Sequence, residues 1–155
     1  TPDKGVEGLQ RILAGKYGLV GNTHDYYEVD NSLIPSLLER GLGIPISLCS
    51  VAILVGRRAD LPIYGIGTPG HFLGYWGNPS DCSGTYFDPF RNYTKLADET
   101  LKNLEMTVPK KILMPVNDAE IISRTLRNII SIHEDCGDFA EASKLSKWLG
   151  MLSNR

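Results

Sequence analysis

The sequence has few cysteines, no excess of charge of one sign and no long apolar run. Its three cysteines form no Cys-x-x-Cys pair and no cluster with histidine, which argues against a disulfide framework or a structural zinc site and favours a reducing compartment. The 16 basic and 18 acidic residues nearly balance, so nothing attracts the chain generally to nucleic acid or an anionic membrane. We therefore expect a cytoplasmic protein with no nucleic-acid partner and no membrane partner.

The length and composition are those of a folded globular protein. A chain of 155 residues is long enough to bury about two thirds of its unfolded surface, so we expect no metal and no cofactor as a structural staple. The loop residues His24, Asp25 and Glu28 match no strong metal-binding spacing. The opening Thr1-Pro-Asp-Lys4 is neither a signal peptide nor a plausible translation start, so we expect that residues precede it.

The first half of the chain predicts three helices. Apolar residues at helical spacing predict a short helix that ends near Gly15 and Gly18, and a polar loop follows over residues 21–30. Asn31-Ser32 can cap a second helix through Arg40. The third, over residues 45–59, is apolar on every side, which is typical of a buried central helix.

The second half predicts a small sheet and then a pair of helices. Short β-type runs at residues 63–68, 71–76 and 85–87 favour an antiparallel sheet packed on the central helix, and a brief helix follows near residues 98–104. Asp118 and Asp138 can each cap a helix, with Gly137 between them, which predicts an αα-hairpin. We therefore expect an α+β core over residues 1–116 and a helical hairpin over residues 117–155, docked on that core.

Three residues stand in an order that suits acyl transfer. Cys49 lies near the start of the central helix, His71 follows a Pro-Gly turn, and Asp88 lies just after a strand. A thiolate near a helix N-terminus is a good nucleophile, histidine is the usual general base, and a carboxylate can orient that histidine. Cys49, His71 and Asp88 are therefore the candidate catalytic residues.

Each of the three residues also has a purely structural explanation. Cys49 lies on an apolar helix, where cysteine behaves as a small hydrophobic residue. His71 can hydrogen-bond a loop backbone, and Asp88, which precedes a proline, can organise a turn. Of the other cysteines, Cys82 is expected to be a loop thiol and Cys136 a packing residue.

Several motifs in sequence order carry a resemblance to a known family. They include Gly43-Ile-Pro-Ile-Ser-Leu48, Pro69-Gly-His-Phe-Leu73 and Asp88-Pro-Phe90. Over about residues 9–152 the chain resembles the SirB family, which has a transglutaminase-like core, and its last two helices resemble tetratricopeptide helices. The resemblance implies a papain-like α+β fold with a central helix against an antiparallel sheet. It also implies that His71 and Asp88 match the histidine and aspartate of the transglutaminase triad.

The nucleophile is where this chain departs from the resemblance. In active transglutaminase cores the cysteine opens the central helix, at a set spacing before the proline that follows the helix. In this chain that proline matches Pro62, and the same spacing counted back from it falls on Pro45. Cys49 lies one turn further on, a shift of about 6 Å along the helix axis. A nucleophile must approach its base to about 3 Å, although this distance is often looser in the free enzyme.

Three functional hypotheses follow from these residues. The first is a transglutaminase-like domain that lacks transglutaminase activity and serves as a binding or regulatory module, with a protein or peptide as its partner. The second is a thiol hydrolase, similar to a peptidase or amidase, in which Cys49, His71 and Asp88 form a triad. The third is a small-ligand pocket lined by His71, Asp88 and nearby tyrosines. The sequence names no substrate and no oligomeric state.

Overall fold

The computed structural model describes residues 1–81 and 83–153, which form helices and two small sheets. The helices are α1 (Pro2–Leu9), α2 (Ile34–Arg40), α3 (Pro45–Arg58), α4 (Asp98–Thr107), α5 (Asp118–Asp135) and α6 (Phe139–Ser153). A π-helical stretch, Gln10–Lys16, continues α1. The strands are β1 (Val20–Gly21), β2 (Leu42–Gly43), β3 (Ile63–Ile66), β4 (Leu73–Asn78), β5 (Ser83–Asp88) and β6 (Thr94–Lys95). Within this part of the chain, no helix is long and apolar enough to cross a membrane.

Helix α3 is the buried central helix that its apolar sequence predicts. Leu48, Cys49 and Ala52 are fully buried, and the helix packs against β3 and β4. Pro45 occupies the first turn, where its missing N–H costs no hydrogen bond. At the other end a Cβ on Gly56 would lie only 2.9 Å from the Ile63 side chain, so glycine allows the helix to approach the sheet closely.

The larger sheet is antiparallel, with strand order β3-β4-β5-β6, and therefore agrees with the sequence prediction of an α+β fold. One predicted strand boundary is wrong, because β4 begins at Leu73 and not at His71. Gly70 adopts a left-handed conformation with φ of 69°, and the Thr68 hydroxyl donates to the His71 carbonyl at 3.0 Å. These turn contacts place His71 in the β3–β4 loop.

The prediction that Asn31-Ser32 caps α2 is wrong. Helix α2 begins at Ile34, with Pro35 in its first turn, after a 3-10 turn at Val29–Ser32. Asn31 is fully buried, and its amide donates to the carbonyls of Asp25 at 2.6 Å and Tyr26 at 3.1 Å. It also accepts a hydrogen bond from Asn22 at 3.1 Å. The side chain is used to hold the loop of residues 22–31, so it is not available as a helix cap.

We expect Asn31→Ala to lower the free energy of unfolding by at least about 2 kcal/mol. The substitution leaves two loop carbonyls and the Asn22 amide without partners, and each unsatisfied buried group costs about 1 to 3 kcal/mol. Urea denaturation measures the change, and Asn103→Ala on the exposed side of α4 is the control, expected within about 0.5 kcal/mol of the parent. Equal midpoints for the two variants would contradict this role of Asn31.

Helices α5 and α6 fold back on each other and pack on the core. Ile129 and Ile130 contact Ala142 and Leu145 in a separate apolar cluster. The N-cap of α5 is Asn117, which accepts from the Glu120 N–H at 2.9 Å, so the prediction of Asp118 as the cap is wrong. The Asp118 carboxylate instead accepts hydrogen bonds from Arg57 of α3 at 2.9 and 2.5 Å, which joins the helix pair to the core.

The turn between α5 and α6 lies where the sequence predicts it, at Gly137 and Asp138. Gly137 has a φ of 79°, and the Asp138 carboxylate accepts from the Glu141 N–H at 3.3 Å at the start of α6. The resemblance of this helix pair to tetratricopeptide helices, and the domain boundary between residues 116 and 117, stay predictions.

Candidate functional site

His71 and Asp88 meet at one end of the larger sheet. The His71 Nε2 atom lies 3.0 Å from Oδ1 of Asp88, and the side chains are 33% and 10% exposed. The direction of approach is poor, however, because Nε2 has no hydrogen-bond partner of acceptable geometry among the described residues. We therefore treat the pair as an electrostatic contact that is not aligned as a hydrogen bond.

Asp88 also organises the turn that follows β5. Its Oδ1 atom accepts the Phe90 N–H at 3.0 Å, which caps the 3-10 turn Pro89–Arg91. Arg91 approaches the other carboxylate oxygen at only 3.8 Å and is itself largely exposed. The turn fixes the position of the carboxylate, so the structural explanation of Asp88 and its contact with His71 are compatible.

Cys49 lies inside the core, on the side of α3 that faces the sheet. The thiol is fully buried, and its sulfur donates to the Leu73 carbonyl of β4 at 3.5 Å. Burial raises the pKa of the Cys49 thiol, and the negative charge of Asp88 raises it further. Both effects oppose the thiolate that nucleophilic chemistry needs.

Pro45 lines the same cleft as His71. The cleft has a volume of about 310 Å³ and lies between the start of α3, the β3–β4 loop, the loop of residues 22–31 and α5. Its lining consists of Tyr26, Ile44, Pro45, Ile46, Gly70, His71, Phe72, Glu120, Arg124, Arg127 and Asn128. Cys49 is not part of this lining. The assignment of Pro45 to the nucleophile position stays a prediction.

Arg124 of α5 holds the loop that carries His71, and the sequence analysis missed it. Its Nη2 atom donates to the carbonyls of Thr68 at 2.8 Å and His71 at 3.2 Å, and its guanidinium lies 5.4 Å from the centre of the Phe72 ring. Burial lowers the pKa of Arg124. The available signal was the helical spacing of Glu120, Arg124 and Arg127, which places three charged residues on one face of α5.

We expect Arg124→Ala to increase hydrogen exchange at the His71 amide, which donates to Thr68 within the same loop. The variant removes two charge-assisted hydrogen bonds, each worth about 1.5 to 3 kcal/mol. Native-state exchange followed by NMR measures the effect. Arg127→Ala on the same helix is the matched control and should leave this amide unchanged, because Arg127 is bonded to Glu120. Similar protection in both variants would show that Arg124 does not anchor the loop.

Tyr26 lines one wall of the cleft. It belongs to the loop of residues 22–31, which the buried side chains of Asn22 and Asn31 hold in place. Its ring packs edge-on against Phe90, with 5.7 Å between centroids, and burial raises the pKa of its hydroxyl. The phenol therefore stays protonated and can donate a hydrogen bond near neutral pH. Of the residues expected to line a small-ligand pocket, Tyr26 and His71 therefore share this cleft, whereas Asp88 is not part of its lining.

The other sulfur and metal-binding candidates lie elsewhere. Cys136 is exposed at the end of α5, not packed as expected, and Cys82 lies outside the described residues. Within residues 1–81 and 83–153, no group of three or more His, Cys, Asp or Glu side chains is placed to hold a metal ion.

Comparison with known proteins identifies the family. The model of the transglutaminase-like superfamily matches residues 1–127, which is most of the chain. The chain belongs to the transglutaminase-like superfamily. The matched segment ends inside α5, so it includes three of the cleft residues of that helix, Glu120, Arg124 and Arg127, and stops before Asn128.

Relatives of this transglutaminase-like chain occur in bacteria and in mammals. A UPF0162 protein of Xylella fastidiosa is 34% identical over 149 residues, which cover 90% of this chain and 52% of that protein. A UPF0162 protein of Pseudomonas aeruginosa is 31% identical over 120 residues, 74% of this chain and 43% of that protein. Human F-box only protein 21 is 25% identical over 142 residues, 82% of this chain and 21% of that protein.

The chain therefore spans about half the length of the first of these bacterial relatives and about one fifth of the human one. No solved structure matches the chain significantly.

Proposed function

We propose that this chain is a transglutaminase-like domain of the SirB type that has no transglutaminase activity and binds peptide segments of protein partners in the cleft beside His71. The observation that carries this proposal is that Pro45 shares the cleft with His71, while Cys49 is fully buried. The role is that of a binding or regulatory module in the cytoplasm.

The surroundings of Cys49 argue against thiol chemistry. Its sulfur hydrogen-bonds the backbone of β4 and does not line the cleft, so a substrate in the cleft does not contact it. The thiol also has a raised pKa, because burial and Asp88 both disfavour the thiolate. An active cysteine enzyme needs the reverse, an accessible sulfur whose pKa is lowered by its neighbours.

The cleft itself retains the properties of a binding site. Its volume of about 310 Å³ is at the lower end of the range for ligand sites, and it combines apolar side chains with histidine, tyrosine and arginine donors. The cleft accommodates a side chain or the end of a peptide better than a folded surface. A related segment that makes up 21% of human F-box only protein 21 also supports use of this domain as a module within longer proteins.

An array of short peptides of varied charge, probed with the purified chain, tests the proposal. We expect a subset of peptides to bind the parent chain, and to bind Cys49→Ala equally well, because binding does not involve the thiol. His71→Ala, which changes the cleft wall, should lose these peptides. Circular dichroism and urea denaturation establish that both variants are folded before the comparison.

The alternative hypothesis, a thiol hydrolase, makes the opposite prediction. Bound peptides would be cleaved or deamidated by the parent chain, and Cys49→Ala would abolish that turnover while leaving binding intact. Mass spectrometry of the eluted peptides distinguishes the two hypotheses. Any turnover that depends on Cys49 would overturn the proposed function.

A further inference from the structure

The wall of the cleft that α5 provides has an excess of positive charge. Arg124, Arg127 and Glu120 all line the cleft, together with the neutral Asn128. The other faces of α5 carry Ile121, Ile122 and Leu126, which line an apolar groove between the helix pair and α3. The two arginines of this helix therefore both lie on the side that faces His71.

The charge of Arg124 is only partly offset by its surroundings. Both of its hydrogen bonds go to backbone carbonyls, and no carboxylate lies within ion-pair distance of it in the part of the chain that the structure describes. Burial lowers the pKa of the guanidinium, the nearby Glu120 carboxylate raises it in part, and the positive charge of Arg127 lowers it again. A partly buried cation without a counterion is unfavourable, and a bound anion would relieve this cost.

Arg127 is only weakly engaged in its own ion pair. Its Nη1 atom lies 3.5 Å from Oε1 of Glu120, and the two side chains are 53% and 43% exposed. An ion pair this long and this exposed contributes little, so the guanidinium is free to take a second acceptor. Two guanidinium groups thus face one carboxylate, which leaves one positive charge in excess.

We propose that this cleft recognises a carboxylate of the bound peptide, either an acidic side chain or a free C-terminus. Arg127 supplies the direct contact, since a guanidinium matches a carboxylate with two parallel hydrogen bonds. Arg124 provides the fixed positive charge behind it, and Tyr26, which also lines the cleft, carries a hydroxyl that can act as a further donor. This inference rests on the proposed function and specifies the chemistry of the peptide that the cleft selects.

Three short peptides of one Gly-Ser sequence serve as probes. The first has a central glutamate and an amidated C-terminus, the second replaces that glutamate with glutamine, and the third has the glutamine and a free C-terminal carboxylate. Each peptide is titrated into the isotope-labelled chain, and NMR follows the amides of residues that line the cleft. We expect at least one carboxylate peptide to bind about tenfold or more tightly than the neutral peptide.

The comparison of the two carboxylate peptides separates the sources of the carboxylate. Tighter binding of the first peptide identifies an acidic side chain, and tighter binding of the third identifies a C-terminus. In either case, Arg127→Gln should remove the preference for carboxylate, and raising the salt concentration should weaken the binding of the carboxylate peptide alone. Arg58→Gln at the exposed end of α3 is the matched control and should leave all affinities unchanged.

Several outcomes would overturn the inference. Equal binding of all three peptides at the cleft amides would refute carboxylate recognition while leaving the proposed peptide-binding function intact. Unchanged selectivity in Arg127→Gln, or equally tight binding of inorganic phosphate, would also refute it. If none of the three peptides binds, the inference fails, and the peptide array and the turnover assay still decide the proposed function on their own.

Discussion

Pro45→Cys is expected to produce a thiol that reacts with iodoacetamide at pH 6 at least about 100-fold faster than Cys49 does. Pro45 is buried as a residue but lines the cleft shared with His71, and it opens a helix of 14 residues. A helix N-terminus and a nearby histidine both lower the pKa of a thiol, whereas burial and Asp88 raise the pKa of Cys49. Mass spectrometry of peptides from the labelled protein resolves the two sites.

The experiment uses a chain in which Cys82 is replaced by serine and Cys136 is kept. Cys136 is exposed, so it serves as an internal reference for an accessible thiol outside the cleft. We expect the new cysteine to react faster than Cys136 at pH 6 and to lose this advantage in His71→Ala. If the new cysteine reacts no faster than Cys136, position 45 does not face His71 in the way that the nucleophile register requires.

Phe87→Ala is expected to lower the free energy of unfolding by about 3 to 5 kcal/mol. Phe87 is fully buried near the end of β5 and belongs to the main core together with Leu48, Cys49 and Tyr93. A Cβ built on Gly74 would lie within 2.0 Å of the Phe87 ring, so the ring fills the space above that glycine. Its removal leaves a cavity that the paired strands β4 and β5 cannot close.

Phe139→Ala provides the matched control for this substitution. Phe139 begins α6 and is 68% exposed, so the same chemical change should cost less than about 0.5 kcal/mol there. Urea denaturation followed by tryptophan fluorescence compares the two variants. A loss for Phe87→Ala no larger than that for Phe139→Ala would contradict the arrangement of the core.

The sequence predicts those helices and turns that depend on residues close together along the chain. The apolar residues of α3, the glycine and proline residues between the strands, and Gly137 between α5 and α6 all act over a few residues, and the observed elements follow them. The small parallel pair β1–β2 was not predicted, because its two strands are two residues each and pair over a separation of about twenty residues. Asn31 was assigned to a helix cap because asparagine favours both roles.

The candidate site was predicted only in part, for a similar reason. His71 and Asp88 could be proposed from their order along the chain, and the structure brings them within 3.0 Å. The sequence did not show that Arg124 reaches back across 53 residues to the carbonyl of His71. A hydrogen bond from a side chain to a backbone carbonyl leaves no motif in the sequence, so only the structure reveals this contact.

The reactivity of Cys49 in the native chain is the most direct test of the account. In a chain with Cys82→Ser and Cys136→Ser, iodoacetamide labelling is measured at pH 6 to 8.5, with and without denaturing urea. We expect native labelling to be at least about 100-fold slower than labelling of the unfolded chain, because the sulfur reacts only when the core opens. Native labelling at pH 6 that is faster than in urea, and is lost in His71→Ala, would contradict it.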